Sequence, residues 1–232
     1  MEQAIAKAPE YIAVLHDGKW NIIISIVAAF ITLLAVLVAL FQEKIRDYFK
    51  TAILGVKINL SPPDCHQIML SGPDGTHACN SIYIRLKTTH LKGNSAENVE
   101  VMLSNFWKIN DDDTREVLRE FLPMNLVWSH FQPRKTELRI PKKLFRHCDF
   151  GYFAPIGHGG ETTLKLDTMV QPNPVAGGGL PNVIQPGDYE FEIMVSGDNI
   201  KPITKKWHLI FDGTWSEDEQ EMLSEHIRID EV

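Results

Sequence analysis

A run of twenty residues without a charge, residues 22–41, constrains this chain more than any other part of its sequence. At about 1.5 Å of rise per residue, a helix of that length covers the roughly 30 Å hydrocarbon core of a bilayer. Trp20 precedes the run, and Tyr48 and Phe49 follow it, where aromatic rings favour the headgroup region. The sequence therefore predicts a single transmembrane helix.

A cleavable signal peptide is the alternative interpretation of this run. The apolar region of such a peptide is about 7–15 residues long and ends at a small-x-small cleavage site. This run is longer, follows a tail over 1–19, and continues into Phe41-Gln42-Glu43-Lys44 without such a site. We therefore expect a retained anchor over 20–50, followed by one β-sandwich domain over 51–232. In the tail we expect a short helix over 10–16 that ends at Asp17-Gly18.

Basic residues near the anchor predict its orientation, because the flank richer in lysine and arginine stays in the cytoplasm. The N-terminal flank has two such residues and the C-terminal flank has four, namely Lys7 and Lys19 against Lys44, Arg46, Lys50 and Lys57. The three cysteines, Cys65, Cys79 and Cys148, form no compact disulfide framework, which suits a reducing compartment. We expect a single-pass inner-membrane protein with its C-terminal domain in the cytoplasm.

One face of the predicted membrane helix carries small and polar residues. This small-residue stripe consists of Asn21, Ser25, Ala28, Thr32, Ala35, Ala39 and Gln42. Alternating spacings of four and three residues are typical of a left-handed helix-packing seam, and small residues let membrane helices approach closely. The stripe predicts a homo-oligomer or a partner transmembrane helix. Two alternatives remain: the smallest face of an ordinary helix, and a water-lined pore.

After the anchor, the sequence changes from helical to alternating periodicity. Strand-like runs separated by turn residues occur at 53–60, 81–89, 98–109, 126–128, 136–140, 162–166, 189–196 and 203–211. In the second run Ile82, Ile84 and Leu86 fall on one face, and in the third we expect Trp107 to share a face with Val99. The fold class is therefore mainly β, an immunoglobulin-like antiparallel β-sandwich. The net charge of −7 shows no basic footprint for a nucleic acid partner.

The C-terminal segment predicts a short closing helix. Ser216 and Glu219 have the spacing of a capping box, and Met222, Leu223 and Ile227 are placed to dock the helix on the sandwich. An exposed acidic docking peptide is the alternative. Three further segments have simpler interpretations: a glycine-rich sandwich loop at 171–188, a solvated turn at 111–113, and a helix or strand at 117–121.

Cysteine and histidine are neighbours at three places, which is the only arrangement that suggests a metal. The residues are Cys65, His66, His77, Cys79, His147 and Cys148. They lack the Cys-x₂₋₄-Cys or His-x₃₋₅-His spacing of a zinc site, and adjacent residues on a strand point apart. We therefore expect separate thiols and histidines, no metal and no other cofactor. The sequence has none of the common nucleophile, metalloprotease or dinucleotide motifs, so we expect a protein that is not an enzyme.

Three segments carry a resemblance: Tyr83-x-Arg85-Leu86 with Gly93-x-Ser95-Ala96-x-Asn98-Val99-x-Val101, Ser61-Pro62-Pro63-Asp64-Cys65-His66, and Gly213-x-Trp215-x-x-Asp218-Glu219. They resemble a pattern in uncharacterised bacterial single-pass membrane proteins with an N-terminal membrane helix and a cytoplasmic immunoglobulin-like sandwich. The chain departs from that pattern at His90-Leu91-Lys92, where an asparagine usually precedes the glycine, so we expect an altered turn. The resemblance implies a fold and a topology, and it implies no activity.

These observations lead to two hypotheses about function. The first is a membrane-anchored, non-catalytic interaction or sensor module that oligomerises through its transmembrane helix and binds a protein partner with its sandwich. The alternative is a membrane-perturbing effector, or an accessory subunit of a bacterial defence system. A zinc-stabilised sandwich is a third possibility.

Overall fold

The computed structural model describes residues 8–71, 75, 77–118, 121–155, 161–169 and 182–232. The chain divides between Phe49 and Lys50 into two compact units, a helix and a β domain.

The N-terminal unit contains one long helix, α1, which runs over Ala8–Lys50. Within it, Trp20–Gln42 is long and apolar enough to cross a membrane, as the sequence predicted. The predicted end of a tail helix at Asp17-Gly18 is wrong, because α1 continues through both residues. A glycine in a helix interior costs only about 1 kcal/mol relative to alanine, too little to end a helix that continues into an apolar segment.

In its described residues, the β domain contains fourteen strands and a short helix. The strands are β1 Ala52–Ile58, β2 Cys65–Ser71, β3 His77–Gly93, β4 Ala96–Ile109, β5 Arg115–Val117, β6 Met124–Asn125, β7 Val127–Trp128, β8 Leu138–Ile140, β9 Phe145–Pro155, β10 Thr162–Leu166, β11 Val183–Ile184, β12 Gly187–Ser196, β13 Ile203–Phe211 and β14 Ile227–Glu231.

Two antiparallel sheets make up this domain, which confirms the predicted mainly-β class. The first sheet has the order β1-β3-β9-β10-β11, with β2 also paired to β3 and β7 to β9. The second has the order β14-β13-β12-β4-β5, with β6 and β8 also paired to β4.

Side chains from both sheets form one core. The predicted face of β3, with Ile82, Ile84 and Leu86, is fully buried. Aromatic rings from opposite sheets meet there: the Phe150 and Phe191 centroids lie 4.7 Å apart. Alternation along a strand thus produces a buried face on each sheet, and the two faces pack together.

The prediction for the second half of β4 is wrong. Asn105 pairs with Glu192 and Leu103 pairs with Ile193, so Ser104 is an extra residue in a β-bulge. A bulge shifts the alternation by one residue. Phe106 is therefore buried in the core, while Trp107 faces outward, with Lys206 Nζ 4.7 Å from its ring centroid.

The predicted C-terminal helix is present but short, and its cap differs from the prediction. Asp218, rather than Ser216, is the N-cap residue, and its carboxylate accepts hydrogen bonds from the backbone amides of Gln220 and Glu221. The helix α2, Glu219–Glu221, continues as a π-helical turn over Met222–His226. Met222 is buried, as expected for a docking residue. The chain then ends in β14, so Ile227 belongs to a strand and not to the closing helix.

Three other predicted segments have different outcomes. The 111–113 turn is exposed, and Asp112 accepts hydrogen bonds from the backbone amide and the hydroxyl of Thr114. Val117 ends strand β5, whereas residues 119–120 lie outside the described residues. Most of the predicted 171–188 loop also lies outside them, up to residue 181.

Candidate functional site: a pocket on the outer face of the first sheet

The candidate site lies on the side of the first sheet that faces away from the core. Alternation along β3 places Tyr83, Arg85 and Lys87 there. The antiparallel register brings His147 of β9 opposite Lys87, and Asp149 opposite Arg85. We call this surface the outer face.

A buried carboxylate organises one part of the outer face. Asp64, just before β2, is only 2% exposed. One of its oxygens, Oδ1, lies 2.6 Å from His147 Nε2, while Oδ2 accepts a hydrogen bond from Asn59 and lies 3.6 Å from Lys87 Nζ. Burial raises the pKa of Asp64, but these partners outweigh it and hold that pKa below its ordinary value. Asp64 is therefore an ionised acceptor.

His147 is neutral in this arrangement. Burial lowers the pKa of its imidazole, the charges of Arg85 and Lys87 lower it further, and Asp64 only partly opposes them. Because an ionised carboxylate only accepts hydrogen bonds, the His147 proton lies on Nε2 and points to Asp64.

Arg85 is a buried cation next to this pair. It is 7% exposed, and one of its amino groups, Nη2, donates to the backbone oxygen of Pro63. The other, Nη1, lies 3.2 Å from His130 Nε2, while the Arg85 Nε has no hydrogen-bond partner among the described residues. Asp149 faces Arg85 in the strand register, but the carboxylate accepts a hydrogen bond from Ser129.

A pocket of about 220 Å³ opens beside these groups, lined by Ser129, His130, Phe131, Phe145, Arg146 and His147. It forms because β7 pairs with β9, and the backbone amide of Ser129 donates to the backbone oxygen of His147 at 3.0 Å. The chain then turns at His130, whose φ of 67° is uncommon for a residue with a side chain.

The pocket combines aromatic rings with cationic groups. Phe145 is 45% exposed, and Lys87 Nζ lies 4.4 Å from its ring centroid. Arg146 has a buried Nε for which the described part of the chain provides no hydrogen-bond partner. Among the described residues, no carboxylate oxygen lies within 4.0 Å of the nitrogen atoms of Arg85 or Arg146. Arg146 in the pocket wall and Arg85 beside the pocket suit recognition of an anionic group, and the charge of Arg85 also acts on Asp149.

A second polar cluster fixes the groups behind the pocket. The hydroxyl of Tyr83 donates to Asp167 at 2.9 Å, and Arg134 also pairs with Asp167. Burial raises the pKa of Asp149, and the neighbouring Asp167 adds to this effect. Since the Ser129 hydroxyl donates to Asp149, it is directed away from the His147 imidazole.

A larger pocket of about 540 Å³ lies beside α2. Its acidic side chains already have structural roles: Glu219 accepts a hydrogen bond from the Gln67 backbone amide at 2.9 Å, and Asp218 caps α2. We therefore place the candidate site at the outer-face pocket.

All residues of the small-residue stripe lie on the continuous helix α1. Two of its hydroxyls bond to the backbone one turn earlier: Ser25 Oγ donates to the Asn21 oxygen, and Thr32 Oγ1 donates to the Ala28 oxygen, both at 2.8 Å. Each hydroxyl oxygen keeps acceptor capacity for a neighbouring helix.

The cysteine–histidine candidates do not converge where the structure describes them. Cys65 and Cys148 are buried, with the Cys148 thiol donating to the Val127 oxygen, whereas the adjacent His66 and His147 point to the opposite side of the sheet. Burial raises the pKa of the Cys65 thiol to about 12.

The two remaining metal candidates lie on β3, where Cys79 pairs with Leu70 at the far end of β2 from Cys65. The side chain of His77 lies outside the described residues. The described side chains do bring together Glu221, Glu225 and His226, with ligand atoms within 4.8 Å of one another. The first two of these residues are exposed, and sequence reasoning did not single out this group.

Sequence reasoning also missed Asp64, Arg85, His130 and Arg146 as site residues. Only Asp64 had a local signal, since it follows Pro62-Pro63 directly before a strand. Comparison of the chain with protein-family models, with curated proteins and with solved structures gave no match.

Proposed function

We propose that this protein is a membrane-anchored, non-catalytic binding module. In this proposal α1 crosses the inner membrane once, residues 51–232 lie in the cytoplasm, the small-residue stripe drives oligomerisation, and the outer face binds a protein partner. The resemblance to bacterial single-pass membrane proteins stays a prediction that agrees with this topology.

The outer-face pocket is the observation that carries the proposal. Arginine and aromatic residues dominate the energetics of protein–protein interfaces. Phe145, which is half-exposed, and Arg146 line the pocket, and Arg85 lies beside it, with its Nη1 3.2 Å from His130 Nε2. Among the described residues, neither arginine has a carboxylate oxygen within 4.0 Å. A partner segment with an acidic side chain and an apolar neighbour complements both features.

Site-specific photo-crosslinking in cells tests the partner. A crosslinking amino acid at Phe131, in the pocket, should capture one discrete protein, whereas the same group at Val117, exposed on β5, should not. Arg146→Glu should abolish that product, and Lys108→Glu, which changes an exposed lysine on the second sheet, should leave it unchanged. Equal products at both crosslinker positions, or insensitivity to Arg146→Glu, would refute partner binding at this pocket.

The oligomeric state of the full chain in detergent tests the stripe. Ala28→Leu with Ala35→Leu places large side chains within the stripe and should convert an oligomer to a monomer. The matched control is Ala29→Leu, which adds the same side chain outside the stripe and should preserve the oligomer. A monomeric wild-type chain would leave α1 as an anchor without self-association.

A further inference from the structure

One end of the sandwich, which we call the β1 end, joins four segments. These are 51–53, 90–97, 141–144 and 197–200. Asn199 connects three of them: its backbone oxygen accepts from the Ala52 amide at 2.7 Å, and its side chain donates to the Ser95 oxygen at 2.8 Å. The β1 end therefore has a defined geometry, although it combines strand ends with loops and turns.

His90 connects the fourth segment. Its Nε2 lies 2.6 Å from the backbone oxygen of Asn94, and its Nδ1 accepts from the Lys143 amide at 3.3 Å. The His90 backbone amide also donates to the Leu144 oxygen at 2.9 Å. The 141–144 loop is therefore fixed to the end of β3, and its side chains project from an ordered position.

Three large apolar side chains are exposed at the β1 end: Leu91 at 63%, Ile53 at 46% and Leu144 at 46%. Leu91 is the extra residue of a bulge, since Ile53 pairs with Lys92 and Leu54 pairs with His90. Its side chain lies over Gly55, two residues along the same strand from Ile53. Exposed apolar groups gathered in this way indicate an interaction surface.

Lysines surround this apolar surface. Lys92, Lys142 and Lys143 are exposed, and none has a carboxylate oxygen within 4.0 Å in the part of the chain that the structure describes. Two acidic side chains lie at this end: Glu97 pairs with Arg139 at 2.9 Å, whereas the exposed Asp198 accepts from the neutral amide of Asn98 at 2.7 Å and keeps its charge. Three lysines against this one carboxylate leave the exposed surface apolar and net cationic, which complements an anionic bilayer surface.

The connection between α1 and β1 also points to a bilayer surface as the partner of the β1 end. Only two residues separate Ile53 from Lys50, the last residue of α1, so at most about 10 Å of extended chain joins them. Ten residues separate Ile53 from Gln42, where the segment long enough to cross a membrane ends, so the chain itself limits how far the β1 end can lie from the headgroups of any bilayer that this segment crosses.

We propose that the β1 end of the sandwich docks on the anionic headgroup surface of the membrane that α1 crosses. Leu91, Ile53 and Leu144 enter the headgroup region, and the three lysines bind lipid phosphates. The inference rests on the anchoring part of the proposed function and is independent of the oligomer and of the protein partner.

Hydrogen–deuterium exchange of the full chain in nanodiscs tests this docking. Backbone amides of the 142–146 segment should exchange at least about threefold more slowly in nanodiscs containing phosphatidylglycerol than in nanodiscs of phosphatidylcholine alone. The exposed 111–113 turn, which carries three aspartates, should exchange equally in both. High salt should remove the difference, because it screens exposed charges.

Two variants and one additive show whether the slower exchange comes from lysine contacts with lipid or from a soluble anion. Lys142→Glu with Lys143→Glu should abolish the lipid-dependent protection, whereas Lys108→Glu on the second sheet should preserve it. Protection that appears in phosphatidylcholine nanodiscs on addition of glycerol phosphate would assign a soluble anion and overturn the membrane proposal.

Equal exchange in both lipids would also overturn docking. That result is distinguishable from failure of the anchor, because a chain without a membrane anchor would not be incorporated into nanodiscs at all.

Discussion

The Nε2 atom of His147 lies 2.6 Å from Oδ1 of Asp64, and this contact joins the segment before β2 to β9 across the intervening strand β3. Both side chains are largely buried, and the pair consists of a carboxylate and a neutral imidazole. The contact positions His147 at the wall of the outer-face pocket.

We expect His147 to make the sandwich less stable in mild acid. The pKa of His147 in the folded protein lies below its ordinary value of 6.5, so the unfolded chain binds this proton first. The free energy of unfolding should therefore fall as the pH decreases from 6.5 through the folded-state pKa, by at most about 1.4 kcal/mol per pH unit. His147→Asn should remove this dependence, which urea unfolding of the full chain, followed by tryptophan fluorescence, measures.

His226 serves as an internal reference for that measurement. A hydrogen bond to Asp212 raises its pKa, so its stabilising contribution is complete below pH 6.5 and is lost as the pH rises through the folded-state value. The contribution of His226 to the free energy of unfolding is the same in the wild type and in His147→Asn, so it cancels when the two stability curves are subtracted. Parallel stability curves for the two proteins would contradict the assignment to His147.

Trp128 connects the two sheets through its indole. The buried Nε1 donates to the Val99 oxygen at 3.1 Å and to the Thr136 oxygen at 2.9 Å. Trp128→Phe should lower the free energy of unfolding by about 1–3 kcal/mol, because it leaves buried carbonyl groups without their donor. The control is Trp107→Phe, at a partly exposed ring, and this variant should change stability by less than about 1 kcal/mol. Equal losses for both variants would contradict this role of Trp128.

Gly93 ends β3 at a position that excludes a side chain. Its φ is +92°, and an added Cβ would lie 2.0 Å from the Thr51 oxygen. Gly93→Ala should destabilise the sandwich by at least about 1–3 kcal/mol from backbone strain alone. At Gly55 the nearest neighbour of an added Cβ is the flexible end of Leu91, at 3.1 Å. Gly55→Ala should therefore cost much less, and denaturant midpoints that rank the two variants in the opposite order would contradict this account.

The three thiols should differ in reactivity. Burial raises the pKa of the Cys65 thiol to about 12 and that of Cys148 well above its ordinary value, so neither forms the reactive thiolate. Cys79 is partly exposed. Iodoacetamide should therefore add once to the folded chain, at Cys79, and three times in urea, as measured by peptide mass spectrometry. Rapid modification of Cys65 or Cys148 in the folded protein would contradict their burial.

Local periodicity predicted the strands whose alternation is unbroken. The buried residues Tyr189, Phe191, Ile193 and Val195 of β12 follow the period of two throughout. In β4 and β9, a β-bulge interrupts the alternation, so the period of two does not predict which residues are buried. In β9 the register shifts opposite Ile84 and Arg85. Cys148 and Phe150 are buried two residues apart, but the next buried aromatic residue, Phe153, follows three residues later, so no single period describes the strand. Sequence analysis therefore missed β9, which supplies half of the pocket.

The sequence by itself determined the apolar helix and the mainly-β class. Both depend on local properties: an uncharged run long enough to cross a bilayer, and side chains that alternate between two faces. Only the tertiary structure decided the pocket. Asp64, Arg85, His130 and Arg146 come from four separate segments, and the pairing of β3 with β9 and of β7 with β9 brings them together. Strand pairing depends on the packing of the whole core, and no spacing between these residues along the chain encodes it.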